Sequence, residues 1–274
     1  MASAQSAPAS GCRAAASLHA AEPTATQCGD RRIGERIEVI FKHHRRRYGD
    51  RRSAEELADA GVVCAPDRIR RIMRARGLRA IQRKTYVPKT SDGRADKPSP
   101  NLLLDQALPA KPDRVWAGDI TFIPTSAGWL YLAVVIDLCS RKIVGGALGD
   151  HLRAELVVEA LQQALASRGA LPGLIFHSDR GSQYGSGTYR DLLRQAGIRQ
   201  SMSARANPYH NAWPESFIGT LKTEMLQDGS FIDHADARIE IFAFIDSSYN
   251  TLRKHSSLGS KTPASFEAKL HSTN

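Results

Sequence analysis

Cysteine is scarce in these 274 residues: there are four, at positions 12, 28, 64 and 139, and no two stand close together. Such spacing excludes zinc knuckles and a disulfide framework and suits a reducing cytoplasm. Long apolar runs are missing too. None approaches the roughly 18 residues that a helix needs to cross a bilayer, so no membrane partner is expected. The first residues are rich in Ala and Ser and lack the apolar segment of a secretory signal. What the chain has in excess is positive charge, 38 Lys and Arg against 28 Asp and Glu. At 42% hydrophobic it can bury a core, and its length fits one large domain plus a small one.

The charge is unevenly placed. Residues 1–100 hold 21 Lys and Arg against 11 Asp and Glu, whereas the remainder holds 17 of each. A basic module joined to a neutral body predicts that affinity for a polyanion resides in the module. Residues 1–32 have few large apolar side chains and are expected to be a disordered tail. From Ile33 the spacing of Ile33, Ile37, Ile40 and Phe41 predicts an amphipathic helix ending in Arg45, Arg46 and Arg47. Ser53 and Glu56 suggest a capping box for a short helix that stops at Gly61. After Pro66, a core stripe of Ile69, Ile72, Met73 and Leu78 leaves Arg68, Arg70, Arg71, Arg74 and Arg76 on other faces. A short helix, a glycine turn and a basic helix predict a small all-α helix-turn-helix domain over residues 33–87, with Arg68, Arg70, Arg71 and Arg74 toward DNA. A solvated Arg-rich helix is the plainer alternative. Prolines 88, 98, 100, 109 and 112 mark residues 88–113 as a linker.

Residues 114–270 alternate strands and helices in the α/β manner. Strands are expected at 115–123, 129–137 and 142–148 as an antiparallel meander. A helix at 153–167, a strand at 174–178, a helix at 187–196 and a strand near 198–202 follow. A last helix is expected over 231–249, carrying Ile239, Phe242, Ile245 and Tyr249. Three acids stand out against this pattern. Asp119 interrupts the apolar run of the first strand. Asp179 follows Leu174, Ile175 and Phe176 and precedes Gly181, which reads as a buried strand opening into a loop. Glu215 lies in the first turn of a helix that Asn211 can cap, off the buried face made by Phe217, Ile218, Leu221 and Met225. Each acid alone has an ordinary structural reading, as a strand acid, a turn former or a helix N-terminal charge. Converging, they would repel one another unless a cation joined them. Hard oxygen donors favour Mg²⁺ or Mn²⁺ and point to phosphodiester chemistry.

The motifs VWAGDITFIP (115–124), LAVVIDLCSRKIVG (132–145), HSDRGSQY (177–184), NPYHNAWPESFIGTLKTE (207–224) and YNTLRKHSSLG (249–259) occur in this order. Carrying them, the chain from about Tyr48 onward resembles the second-frame catalytic subunit of the bacterial insertion-sequence transposases with an Asp-Asp-Glu triad. Their core is similar to retroviral integrase, although the His and Cys zinc module of those integrases has no counterpart here. His43 and His44 are expected to be solvated or phosphate-facing.

The resemblance implies a ribonuclease-H-like core, a mixed five-stranded sheet flanked by helices, behind the helix-turn-helix domain. It implies that Asp119, Asp179 and Glu215 hold two Mg²⁺ or Mn²⁺ ions. The activity implied is nicking of double-stranded DNA at transposon ends and transfer of the 3′-hydroxyl to another phosphodiester. Implied partners are transposon-end and target DNA, further copies of the chain on that DNA, and a first-frame partner protein.

Lys222 stands two turns along the Glu215 helix and resembles the DNA-contacting lysine of such helices, with an ordinary surface lysine as the alternative. Asp137 falls outside the triad and is expected to be structural or salt-bridged, with support of a metal ligand as the lesser alternative. Trp213 suits a base stack or a core anchor, and Arg253, Lys254 and His255 suit DNA contact or packing. The chain departs from the family pattern at Ala206 and His210. The rival readings are a ribonuclease-H-like nuclease and an inactive DNA-binding remnant.

Overall fold

Three helices open the described part of the chain. The computed structural model describes residues 25–81, 98–104, 106–169, 171–203, 212–226 and 231–272. The expectations for residues 1–24, linker residues 88–97 and 105, the Asn211 cap, Ala206 and His210 lie outside them. Helices α1 (Ala25–His43), α2 (Asp50–Asp59) and α3 (Pro66–Ala75) bury Ile37, Phe41, Leu57, Ile69, Ile72 and Met73 against one another. Apolar side chains three and four apart supply one stripe per helix, and Pro66 fits the first turn of α3, where its missing N–H has no partner to lose. Helix α1 begins eight residues before the apolar spacing placed it. Its added turns are polar, and Asp30 is tied to Arg68 and Arg71 of α3, a tertiary tether that periodicity does not register. The expected capping box is not formed. Helix α2 starts at Asp50 behind Gly49, and Ser53 is buried inside it.

The second unit is a sheet of five strands in the order β3-β2-β1-β4-β5. Strands β1 (Val115–Thr125), β2 (Gly128–Asp137) and β3 (Ile143–Gly149) form the antiparallel meander. Helix α4 (Ala154–Arg168) leads to β4 (Ile175–Ser178), which lies parallel to β1. A short α5 (Ser182–Gly185) and α6 (Gly187–Gln195) lead to β5 (Arg199–Met202), parallel to β4. This is the mixed five-stranded sheet that the resemblance implied.

Strand alternation sorts the sheet into two cores. Trp116, Ile120, Ala133 and Val135 face α4, α5 and α6, with Phe176, Tyr184 and Tyr189. Val115, Ala117, Ile123, Leu132 and Val134 face the other way, against Phe217 and Leu221 of α7 (Ala212–Met225) and Ala237 and Ile241 of α8 (His234–Ala243). Asp119 shares the parity of this second set, which puts it on the side of the sheet that α7 covers.

Helix α8 begins at His234 because the Asp233 carboxylate accepts the Asp236 N–H, while Phe231 pairs with β1 through Thr125. It continues as wider π-helical turns over Phe244–Tyr249. The expected stripe is corrected at Ile239 alone, which is 70% exposed; Phe242 packs against the core, and Ile245 and Tyr249 are buried in it with Ile241 and Phe244. A 3-10 turn (Ser256–Leu258) and α9 (Pro263–Ser272) close the chain.

The helical unit docks on this closing segment. Tyr48 is 2% exposed; its hydroxyl donates to the Leu252 carbonyl at 2.9 Å and accepts the Lys254 N–H at 3.1 Å. The Arg47 guanidinium donates to Ser248 Oγ at 3.0 Å and lies 3.6 Å from Glu224, which Arg253 meets from the other side at 3.0 Å. Lys254 reaches Asp59 and Glu56 of α2.

Candidate active site

The parallel register of β1 and β4 brings the first two acids together. Ala117 pairs with His177, so Asp119 and Asp179 each stand two residues beyond that pair, Asp179 just past the end of β4. Both line one small cavity with Ile120, Gly181, Gln183 and Tyr184. Gly118 makes the approach feasible, because a Cβ there would lie 2.6 Å from the Phe176 ring. One oxygen of Asp119 accepts the Ile120 N–H at 2.8 Å, and one of Asp179 accepts the Gly181 N–H at 2.9 Å.

Asp119 is 6% exposed, and its carboxyl is held well above the usual carboxylate range. Burial is the main cause, and the Asp179 charge adds to it. The Ile120 hydrogen bond opposes the rise, Glu215 adds to it, and Lys222 opposes it. Glu215 is exposed in the first turn of α7, whose Pro214, Phe217 and Leu221 are buried. Electrostatically, then, all three acids meet at Asp119. Among the described residues no group of three His, Cys, Asp or Glu is gathered closely enough to cage an ion by itself.

Lys222 is half-buried on α7, and burial lowers the pKa of its ammonium while Asp119 raises it. Its charge thus acts on Asp119. Sequence reasoning had not singled out Tyr184, although it lies within HSDRGSQY. Its phenol is buried in the same cavity and pushed well above the usual value by burial and then by Asp119.

Other expectations resolve locally. Asp137 is fully buried and structural: it accepts from the N–H groups of Asp113, Cys139 and Ser140 and from the Ser140 hydroxyl, between 2.7 and 3.0 Å. Trp213 carries the Arg141 guanidinium over its ring, 3.3 Å from the centroid. Arg253 and Lys254 are engaged by Glu224 and by α2, and burial with neighbouring arginines lowers His255 to about 3, which keeps it neutral. His44 is stacked on Tyr48 at 3.6 Å and paired with Glu56, not turned to solvent.

Of the α3 arginines, Arg68 and Arg71 pair with Asp30 and Arg70 with Asp50 and Asp67. Arg74 is exposed, and among the described residues its side chain takes part in no ion pair. Three of the four are thus engaged within the helical unit.

Residues 109–208 match a family model described as Integrase core domain, residues 196–263 a second model of that description, and residues 29–86 one described as HTH-like domain. The chain is 41% identical over 235 residues to the transposase for insertion sequence element IS904 of Lactococcus lactis subsp. lactis, which covers 86% of this chain and 93% of that one. It is 38% identical over 231 residues to the transposase InsF for insertion sequence IS3A of Escherichia coli K12, covering 84% of this chain and 80% of that one. Among solved structures, a chain of the simian T-cell lymphotropic virus intasome in complex with PP2A regulatory subunit B56 gamma shares the fold. Its TM-score is 0.51 at 17% identity, over 85% of this chain and 74% of that one. No helix among the described residues is long and apolar enough to cross a membrane.

Proposed function

The chain belongs to the insertion-sequence transposases with an integrase core, which are polynucleotidyl transferases, and from that premise we propose that Asp119, Asp179 and Glu215 are its catalytic triad. The observation that carries this is the electrostatics of Asp119. It is a buried carboxylate in the middle of β1, just past the stretch that pairs in parallel with β4; it shares a cavity with Asp179, and its protonation responds to both other acids. Burying such a group costs several kcal/mol unless its charge is met, and the groups that oppose the rise are the Ile120 N–H and Lys222. All-oxygen donors in a dry corner fit Mg²⁺ or Mn²⁺, which take few protein ligands and keep their waters. Asp119 would share two ions, one with Asp179 and one with Glu215. When bound, such ions lower the pKa of an attacking water or hydroxyl and steady the leaving oxygen.

The chain's own part is to hold three carboxylates in mid-β1, just past the end of β4 and in the first turn of α7. Lys222, on the same α7 face as Glu215, would steady the DNA backbone beside them. The helical unit, with Arg74 exposed and Arg68, Arg70 and Arg71 beside it on α3, would bind double-stranded DNA at the transposon ends. Nicking then frees a 3′-hydroxyl, which attacks a target phosphodiester. Further copies of the chain on the DNA and a first-frame partner protein complete the expected assembly, in the cytoplasm.

The test uses Asp119→Asn, Asp179→Asn and Glu215→Gln, assayed for nicking and joining on end-containing duplexes with Mg²⁺, with Mn²⁺ and with excess chelator. Each variant should fold and lose both steps, and chelator should abolish wild-type activity. Joining by any variant removes that acid from the mechanism. Products of hydrolysis alone from the wild type would favour the ribonuclease-H-like nuclease, and complete inactivity the DNA-binding remnant.

A further inference from the structure

Arg141 carries two costs at one position. Its backbone is left-handed, with φ 63°, which disfavours a side chain with a Cβ. Its guanidinium is buried, with Nε and Nη1 lacking hydrogen-bond partners and no ion pair among the described residues. Burial accordingly lowers its pKa, against the nearby Tyr249 and Asp137. What meets the charge is the face of Trp213. The turn is built to deliver it there. Asp137 gathers the N–H groups of Cys139 and Ser140, and the Arg141 N–H closes the turn on the Asp137 carbonyl at 2.9 Å.

On the receiving side, Trp213 lies in the first turn of α7, two residues before Glu215. Two residues turn a helix by roughly 200° and advance it by about 3 Å, so Trp213 and Glu215 stand on opposite sides of the same turn. Trp213 packs inward against the core while Glu215 is exposed. Any tilt or rotation at Trp213 therefore swings the Glu215 carboxylate.

We propose that the Arg141–Trp213 stack is a positioning device that sets the first turn of α7 so that Glu215 meets Asp119 with the reach that metal binding needs. Arg141 touches no reacting atom; it acts through Trp213. The proposal rests on the triad reading, and it joins two motifs that lie some seventy positions apart in the chain.

The experiment compares full-length wild type with Arg141→Met, Arg141→Lys, Trp213→Leu and Trp213→Phe. Thermal midpoint, duplex binding, Mn²⁺ binding by electron paramagnetic resonance, and joining across Mg²⁺ and Mn²⁺ titrations are measured for each. Arg141→Met and Trp213→Leu should fold and bind duplex as wild type does. Their half-saturation by Mn²⁺ should rise by roughly 10- to 100-fold, with Mg²⁺-supported joining falling in proportion and excess Mn²⁺ restoring part of it. Trp213→Phe should stay near wild type because a ring face remains, and Arg141→Lys should fall between, having charge without a flat face.

Wild-type metal binding and joining in either folded Trp213→Leu or folded Arg141→Met overturns the proposal, as does a loss that follows the thermal midpoint and is equal in both metals. Glu215→Gln is run alongside. If it retains joining, the triad reading itself fails; if it is inactive while the stack variants match wild type, only the positioning role fails.

Discussion

The helical unit and the Asp119 site of the sheet unit treat charge in opposite ways. In the helical unit, opposite charges are matched: Arg68 and Arg71 close on Asp30, Arg70 on Asp50 and Asp67, and Arg76 on Glu38. In the sheet unit, like charges are brought together at Asp119, and a cation is buried against a ring at Arg141. Matched charges cost little and say little about activity, since exposed pairs contribute only about 0–1 kcal/mol. Unmatched buried charges lower stability and persist only where something else rewards them. The place where the chain tolerates electrostatic conflict is where its chemistry is expected, and the place where it balances charge is where it folds a small scaffold.

The interface between the units offers the largest effect. Glu224 is nearly buried between Arg47 and Arg253. Glu224→Ala strands two guanidiniums, and should cost about 3–5 kcal/mol in a denaturant titration and expose the Arg45–Tyr48 loop to limited proteolysis. A loss under 1 kcal/mol with unchanged cleavage would mean that matched charge does not hold the units together.

Next comes Lys222, a cation whose charge acts on Asp119. Lys222→Ala in the inactive Glu215→Gln background should weaken binding of end-containing DNA by about 1–3 kcal/mol at low salt. Equal affinities would return it to the class of surface charges.

A smaller effect is expected at Asp119. Its folded pKa lies above its unfolded value, so its contribution to stability is full below the unfolded pKa and is lost as pH rises through the folded one. Metal-free wild type should therefore weaken over that interval. Asp119→Asn should remove this pH dependence and leave the protein about 1 kcal/mol more stable at neutral pH. Thermal scans against pH, with and without Mg²⁺, check this; a less stable Asp119→Asn would show that the acid is at ease where it stands.

The smallest effect belongs to the matched side. Asp30→Asn releases Arg68 and Arg71, and should tighten non-specific duplex binding by at most about 1 kcal/mol while steepening its salt dependence. Unchanged affinity and slope would indicate that these arginines do not face DNA.

Much of the sheet was legible because burial on both faces leaves runs such as Leu130 to Ile136, which only a central strand explains. The helical unit was legible through Ile69, Ile72 and Met73, whose spacing survives in the packed core. Its boundaries were not. Helix α1 extends back to Ala25 through a contact with α3, and Ser53, which has the look of a cap, is buried mid-helix. Ile239 was misplaced because the buried face of α8 and its continuation runs through Ala237, Ile241 and Ile245 at spacings of four, and Ile239, two residues from either neighbour, falls on the opposite side of the helix.

At the site, Asp119, Asp179 and Glu215 could be named from motif and spacing, but not their mutual electrostatics. Tyr184 and Arg141 stood inside quoted motifs with nothing local to distinguish them.

What the sequence determined by itself was composition and periodicity: a basic helical module, a neutral α/β body, two core faces and an ordered set of acids. These follow from local rules, because side-chain direction repeats every 2.0 or 3.6 residues and charge can be counted along a line. Tertiary structure alone decided which charges meet. It turned Arg253 and Lys254, which sequence left free to meet DNA, into the seat of the helical unit. It made Asp137 the hub of a turn and aimed Arg141 at Trp213. Coulomb and stacking interactions depend on distance through space, and residues seventy or two hundred positions apart become neighbours only once the sheet has set the register and the helices have closed over it.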